Sequence, residues 1–305
     1  MLPAYITHDA FAPEADALRA AFDAHFAEPS RHAPETHQVW NYWHVPGSYT
    51  YLRTSPEKVL PRGPLDALFA RIRAFAAERY GLTHITWPYL SLYVAGCQQI
   101  LHNDARNGRM GYVYSLTRWD ERRFLGGETL IFREADYFAS GAITRPMASL
   151  GFYELVPARF NQLLLFDDRL PHAVPRLEGT MVPQEGRVVL HGHLSEGPPL
   201  VEGGLPDGAV EAVLAARRGE MLDAAAKAGP GLTGLVTARV SVGTDGAVAD
   251  AQILFDRLMP IGREAGDPAA AVAGIERFLR ALRFPRAAEA STVTMAVPLG
   301  YAIGT

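Results

Sequence analysis

Two histidines and one aspartate in this sequence have the types and spacing to hold a metal ion. His102 and Asp104 flank Asn103, and His172 stands alone further along the chain. Side chains two apart on a strand point to one side, so His102 and Asp104 reach the same ion while Asn103 points away. His172, arriving from a distant strand, completes one triangular face of an octahedron. The opposite face stays open for reagents, and two imidazoles with one carboxylate so arranged are the ligands of non-heme Fe(II) oxygenases. A structural zinc site would be closed by four protein ligands, and no fourth is evident. A hydrolytic zinc ion with a bound water could use the same three side chains, so spacing alone leaves iron and zinc open. Arg187 adds a second element. A cosubstrate that chelates iron through a 2-oxo acid end needs its far carboxylate anchored, and a guanidinium is always charged and offers a planar two-point fork.

These side chains need a rigid frame, and the sequence around them reads as short strands. The runs are Tyr89 to Val94, Gln98 to His102, Gly111 to Leu116, Thr129 to Phe132, Arg159 to Phe166 and Arg187 to Leu194. Separated by Gly- and Asp-containing turns, they predict an antiparallel sandwich or jelly roll, with Arg187 deep at a strand start. Upstream, a short strand at Ala4 to Ile6 precedes a helix carrying Ala15, Leu18, Phe22 and Phe26 at helical spacing. A second helix, Leu65 to Tyr80, presents Leu68, Phe69, Ile72, Phe75 and Ala76 on one face and ends at Gly81. Between them, 31–54 is aromatic-rich and without periodicity. His32, His37 and His44 fit no compact metal motif there, and the segment reads as a loop bordering the substrate pocket. His191 and His193, at the end of the final strand, could face the pocket but read first as structural histidines. Gln98, Arg109, Arg118, Arg122 and Arg123 are placed around the mouth, as a solvated rim or a landing place for acidic groups.

The Gly- and Pro-rich run from Ser195 to Gly208 divides the chain into residues 1–196, a linker at 197–208, and residues 209–305. The last part reads α-β-β-α-β: a helix at Val210 to Ala228, strands at Leu235 to Val242 and Val248 to Phe255 around an Asp245-Gly246 turn, a helix at Ala269 to Leu282, and a strand at Thr292 to Tyr301. Hydrophobic content of 48% and charged content of 20% are those of a soluble globular protein. A net charge of −4 gives no reason to expect nucleic acid or an anionic membrane as partner. With one cysteine, Cys97, no signal-like N-terminus and no apolar span, the expected compartment is the cytoplasm.

Tyr93 and Gly96 lead into His102-x-Asp104, the Asn107-Gly108 turn, Leu116 with Trp119-Asp120, and Gly-Gly-Glu-Thr-Leu-x-Phe at 126–132. Phe160-Asn161-Gln162-Leu163-Leu164-Leu165-Phe166 then leads to Pro171-His172-Ala173-Val174 and on to Arg187. This series resembles the 2-oxoglutarate- and Fe(II)-dependent dioxygenases of the prolyl-hydroxylase type. The resemblance implies a double-stranded β-helix and oxidative decarboxylation of 2-oxoglutarate to succinate with hydroxylation of an unactivated C–H bond. It implies Fe(II), 2-oxoglutarate and O₂ as cofactors, with ascorbate as reductant in vitro, and a peptide, protein or amino acid as substrate. It carries His102, Asp104 and His172 over as iron ligands and Arg187 as the 2-oxoglutarate anchor. Where many prolyl hydroxylases have a tyrosine that contacts 2-oxoglutarate, this chain has Ser115, with Tyr114 and Tyr112 adjacent. Tyr93, Ser115 and Tyr114 are therefore the expected further cofactor contacts. An insertion at 178–183 lengthens the interval from His172 to Arg187.

In the last part, Gly234, Val240, Val242, Asp245-Gly246 and Val248 are followed by Leu282-Arg283-Phe284-Pro285 and alternating Val293, Met295 and Val297. This pattern is similar to TonB C-terminal-like domains, which implies a module for protein or peptide binding, or for dimerisation, through an exposed strand. Two other function classes fit the site residues: a non-catalytic sensor of iron or a 2-oxo acid, and a jelly-roll zinc hydrolase.

Overall fold

The computed structural model describes residues 5–28, 39–133, 153–206, 208–261 and 265–300. Its first part comprises β1 (Tyr5–His8), α1 (Ala15–Ala27), β2 (Asn41–Val45), β3 (Tyr49–Thr54), α2 (Arg62–Tyr80), β4 (His84–Ile85) and β5 (Tyr89–Tyr93). It continues with β6 (Gln98–His102), β7 (Met110–Ser115), β8 (Thr129–Phe132), β9 (Tyr153–Val156), β10 (Gln162–Asp167), β11 (His172–Val174) and β12 (Arg187–Ser195). The strands form one curled antiparallel sheet in the order β1-β10-β7-β12-β5-β3-β6-β11-β8-β9, with β2 on β3 and β4 on β12.

Burial explains the order. Every residue of β10 is buried, so a continuous apolar run takes a central place, while β1 closes its outer side. Leu18 and Phe22 of α1 and Leu65, Leu68, Ile72 and Ala76 of α2 cover the wing formed by β10, β7, β12 and β5. The other wing, β6-β11-β8-β9, curls round opposite it, leaving a cavity between them.

The aperiodic loop expected at 31–54 is, over its described residues, a hairpin of β2 and β3. β2 is exposed along its whole length, so no buried face imprints alternation on its sequence. Gly47 supplies the left-handed residue of the tight turn, at φ 72°. His32 and His37 lie outside the described residues, as does most of the stretch between β8 and β9. Two further strands, β9 and β11, are too short to show a period.

The second part contains β13 (Leu200–Gly203), α3 (Ala209–Ala216), α4 (Arg218–Ala226), β14 (Leu232–Val242), β15 (Val248–Asp256), β16 (Met259–Pro260), α5 (Pro268–Arg280) and β17 (Ser291–Leu299). Its sheet runs β13-β17-β14-β15, with α5 packing Ile275, Phe278 and Leu279 against it. Two expectations need correcting here. The linker holds a strand, because Val201 packs on this core and residues 200–203 pair with β17. The helix expected from 210 to 228 is two, broken at Arg217, whose backbone (φ −115°, ψ 13°) leaves the helical region.

The two parts are tied through polar groups. Helix α2 ends on Gly81 in the left-handed conformation, and its last carbonyls would otherwise lack partners. Thr237 Oγ1 donates to Tyr80 O (2.6 Å) and Arg239 Nη2 to Glu78 O (3.0 Å), so the second sheet caps the helix. Asp167, at the end of β10, is buried between Arg169 (2.5 Å) and Arg257 (3.1 Å), the latter from the second part. Burial raises the Asp167 pKa, but the Arg169 hydrogen bond and both guanidinium charges outweigh it and hold the carboxyl below its usual range. No helix among the described residues is long and apolar enough to cross a membrane.

Candidate metal centre and its cavity

The turn from β10 into β11 organises the site. β11 lies between β6 and β8, which sets His172 opposite His102 across the ladder. Asp104 follows β6, and its N–H donates to Asp168 O in that turn (2.8 Å). Asn107 Nδ2 donates to Asp104 Oδ1 (2.9 Å), which leaves Oδ2 facing the imidazoles. His172 Nε2 is 3.4 Å and His102 Nε2 3.8 Å from that oxygen, and one ligand atom from each residue lies within 4.8 Å of the others.

The ring orientations follow from the backbone. His102 Nδ1 meets Ile100 O at 2.8 Å and His172 Nδ1 meets Leu170 O at 3.0 Å. A carbonyl only accepts, so each Nδ1 carries the proton and each Nε2 offers its lone pair inward. Burial, followed by the His172 charge, lowers the His102 pKa and favours the neutral, ligating form. Burial raises the Asp104 carboxyl, but a hydrogen bond from His172 and the charges of His172, His102 and His193 when those rings are protonated hold it down at about 2, so the oxygen is already ionised before the imidazoles lose their protons. Two lone pairs and an ionised oxygen thus converge where a cation would bring them together. Gln99 Nε2 lies 3.0 Å from His102 Nε2, donating to the lone pair an ion would take.

Arg187 opens β12 on the floor of the same cavity, 2% exposed. Its guanidinium stands 4.8 Å over the Tyr93 ring, and Nη2 donates to Thr129 Oγ1 (3.2 Å). Its Nε is buried without a partner, and no ion pair joins it among the described residues. A buried cation in this condition is costly until an anion reaches it. The donor set therefore fits a ligand with a carboxylate at the Arg187 end and a chelating end at the metal.

His102, Asp104, His172, Arg187 and Tyr93 all line one cavity of about 790 Å³. Ser115 and Tyr114 do not. Ser115 Oγ donates to Ala158 O (2.8 Å) and accepts from Thr117 N (3.1 Å), and Tyr114 OH donates to Asn161 Oδ1 (2.9 Å) within the core. Their hydroxyls serve neighbouring segments, so neither is placed for a cofactor. The arginines expected at the mouth are also elsewhere: Arg109 pairs with Glu196, Arg118 with Asp23 and Arg123 with Glu185, while Arg122 lies over Trp119.

The segment expected to border the pocket does line the cavity, through Tyr49 and Tyr51, whereas nothing in the sequence singles out Arg53 and Gln99. Tyr49, Tyr51 and Arg53 come from the β2–β3 hairpin, and Gln99 from β6. Burial pushes the Tyr51 phenol up to about 12. His191 and His193 face the cavity as well. Burial, with Arg53 and Arg187 nearby, keeps His191 neutral, and its Nε2 lies 2.8 Å from Ser91 Oγ. His193 Nδ1 pairs with buried Asp168 (3.0 Å). A signal existed: His191 and His193 share a strand face with Arg187.

No protein-family model and no curated protein matches the chain. Among solved structures it is similar to a Pseudomonas putida prolyl-4-hydroxylase, at 17% identity over 64% of this chain and 94% of that one, with a TM-score of 0.44. It is also similar to a Trichoplax adhaerens prolyl hydroxylase in complex with a hypoxia inducible factor peptide fragment (13% identity, 62% and 82% covered, TM-score 0.43). A third is the non-heme alpha ketoglutarate dependent epimerase SnoN from nogalamycin biosynthesis (15%, 62% and 75%, TM-score 0.44).

Proposed function

We propose that the protein is a 2-oxoglutarate- and Fe(II)-dependent oxygenase that hydroxylates a C–H bond, on an amino-acid side chain free or within a peptide or protein. The observation that carries this reading is Arg187: a buried guanidinium, its Nε unpartnered and with no ion pair among the described residues, in the cavity that also holds two inward Nε2 lone pairs and one carboxylate. His102, Asp104 and His172 would hold the iron, and Arg187 with Thr129 and Tyr93 would hold the far carboxylate of 2-oxoglutarate. When bound, the iron supplies oxygen activation coupled to decarboxylation of the oxo acid. The protein's own contribution is to fix both imidazole tautomers through Ile100 O and Leu170 O. The Gln99 amide, which donates to His102 Nε2, would give up that bond to the ion, and Tyr51, Tyr93 and Phe166 shield the centre.

Charge balance favours this over a hydrolytic zinc site. At the metal and Arg187, a divalent ion and a guanidinium together outweigh the Asp104 carboxylate. A dicarboxylate neutralises them, whereas a bound water does not. For the second part we infer a supporting role, because it caps α2 and grips Asp167 at the turn carrying the site; strand addition at the outer edge of β15 is the alternative.

The test is anaerobic addition of 2-oxoglutarate to Fe(II)-loaded protein. A metal-to-ligand absorption band, followed by succinate formation on admitting O₂ with ascorbate, is the expected result. Absence of the band would refute the reading, and a band without succinate across candidate substrates would identify a sensor.

A further inference from the structure

The cavity holds more positive charge than 2-oxoglutarate and iron use. Arg53 lines it from β3, with its guanidinium 4.6 Å from the Tyr51 ring centroid, 4.4 Å from Tyr89 and 5.8 Å from Trp43. These rings hold the cation by its faces without neutralising it. Its Nε is buried without a partner, and Nη2 reaches only the ring nitrogen of His191, at 3.4 Å. No carboxylate pairs with Arg53 among the described residues. Asp104, the acid that lines the cavity, is the proposed metal ligand, and Arg187 is matched by the oxo acid. Arg106 also lines the cavity but is exposed, where solvent and salt screen its charge.

Resting on the oxygenase reading above, we infer that Arg53 is a substrate-recognition residue and that the substrate presents a carboxylate to it. Its planar guanidinium, which no carboxylate of the described residues neutralises, matches the two-point geometry of a carboxylate. Tyr49, Tyr51 and Tyr89 line the same cavity and suit an apolar body behind the charged group. Two sources of this group are a free or N-blocked amino acid and the C-terminal residue of a peptide.

Anaerobic calorimetry on Fe(II)-loaded full-length protein with saturating 2-oxoglutarate tests this. The probes are N-acetyl amino acids with aliphatic or aromatic side chains, short peptides ending in the same residues, and the primary amide of each. At least one acid is expected to bind about 10- to 100-fold more tightly than its amide, since a charge-assisted pair is lost. Whether the N-acetyl acids or the peptides show this preference identifies the source. Arg53→Gln is expected to abolish the preference, and Arg53→Lys to keep part of it. Both are expected to bind 2-oxoglutarate within about twofold of wild type, against the tenfold of a lost 1.4 kcal/mol. Equal binding of acids and amides, or binding of no acid, would overturn the inference. So would an Arg53→Gln effect falling on 2-oxoglutarate. If Arg53→Gln does not fold, the wild-type preference and Arg53→Lys decide. Repeating the acid–amide comparison without metal or oxo acid separates the two readings: a wild type that fails to bind 2-oxoglutarate refutes the oxygenase, whereas the metal-free preference still reports on Arg53.

Discussion

Replacing Arg187 with methionine separates ligand binding from stability, because the structure predicts opposite consequences for the two. The guanidinium is 2% exposed, with Nε unpaired, a hydrogen bond to Thr129 and the Tyr93 side chain against it. A carboxylate reaching it would form charge-assisted hydrogen bonds worth about 1.5–3 kcal/mol each. Losing roughly 3 kcal/mol weakens 2-oxoglutarate by on the order of 100-fold, at about tenfold per 1.4 kcal/mol. The free protein gains from the same change, since methionine fills much of the space and removes a desolvated, uncompensated charge. Thermal unfolding of Arg187→Met should therefore match or exceed the wild type within about 1 kcal/mol. The assay is anaerobic titration of the metal-to-ligand band against 2-oxoglutarate, paired with calorimetric unfolding of the ligand-free proteins. Unchanged affinity would show that another group anchors the far carboxylate. A large fall in Tm with modest loss of affinity would make Arg187 a structural residue and refute the assignment.

Three further outcomes follow from the same coordinates. Asp104→Ala removes the carboxylate of the His102–Asp104–His172 set, so Fe(II) retention after desalting should fall by at least about 100-fold while circular dichroism stays that of the wild type; retained iron would exclude this ligand set. Asp167→Asn breaks a carboxylate buried between Arg169 and Arg257 and should destabilise by about 3–5 kcal/mol. Because the Asp167 pKa is depressed below its usual 3.8, its contribution is full above that value and is lost as pH falls through the folded-state pKa. The difference in Tm between wild type and Asp167→Asn should then shrink on acidification below pH 4, and a constant difference would contradict the linkage. Gly81→Ala places a Cβ 2.6 Å from the Met295 carbonyl carbon at a φ of 64°, and should destabilise by more than about 1 kcal/mol in urea unfolding; a neutral effect would place the α2 terminus away from the second sheet.

What the sequence made legible and what it hid divide along physical lines. His102 and Asp104 were readable as a pair by their spacing, although β6 ends at His102 and Asp104 is held by its N–H bond to Asp168 O, and the Arg187 strand announces itself by an apolar run that folding buries on both faces. Three-residue β11 carries no period of its own, and its partnership with β6 is fixed only by the turn at 168–171. Hairpin β2–β3 was hidden for the opposite reason, since a strand exposed throughout has no alternation to read. Its contribution to the cavity depends on pairing with β5 and β6, a long-range contact that no local window contains. Ser115 and Tyr114 show the limit of transfer by position, because adjacency to a family tyrosine fixes the strand but not the hydrogen bond, and Ala158 O and Asn161 Oδ1 capture both hydroxyls. Arg53 combines these cases. Its charge is visible in the sequence, yet its significance comes from lacking a carboxylate partner, and an absent partner is a property only a folded chain can have.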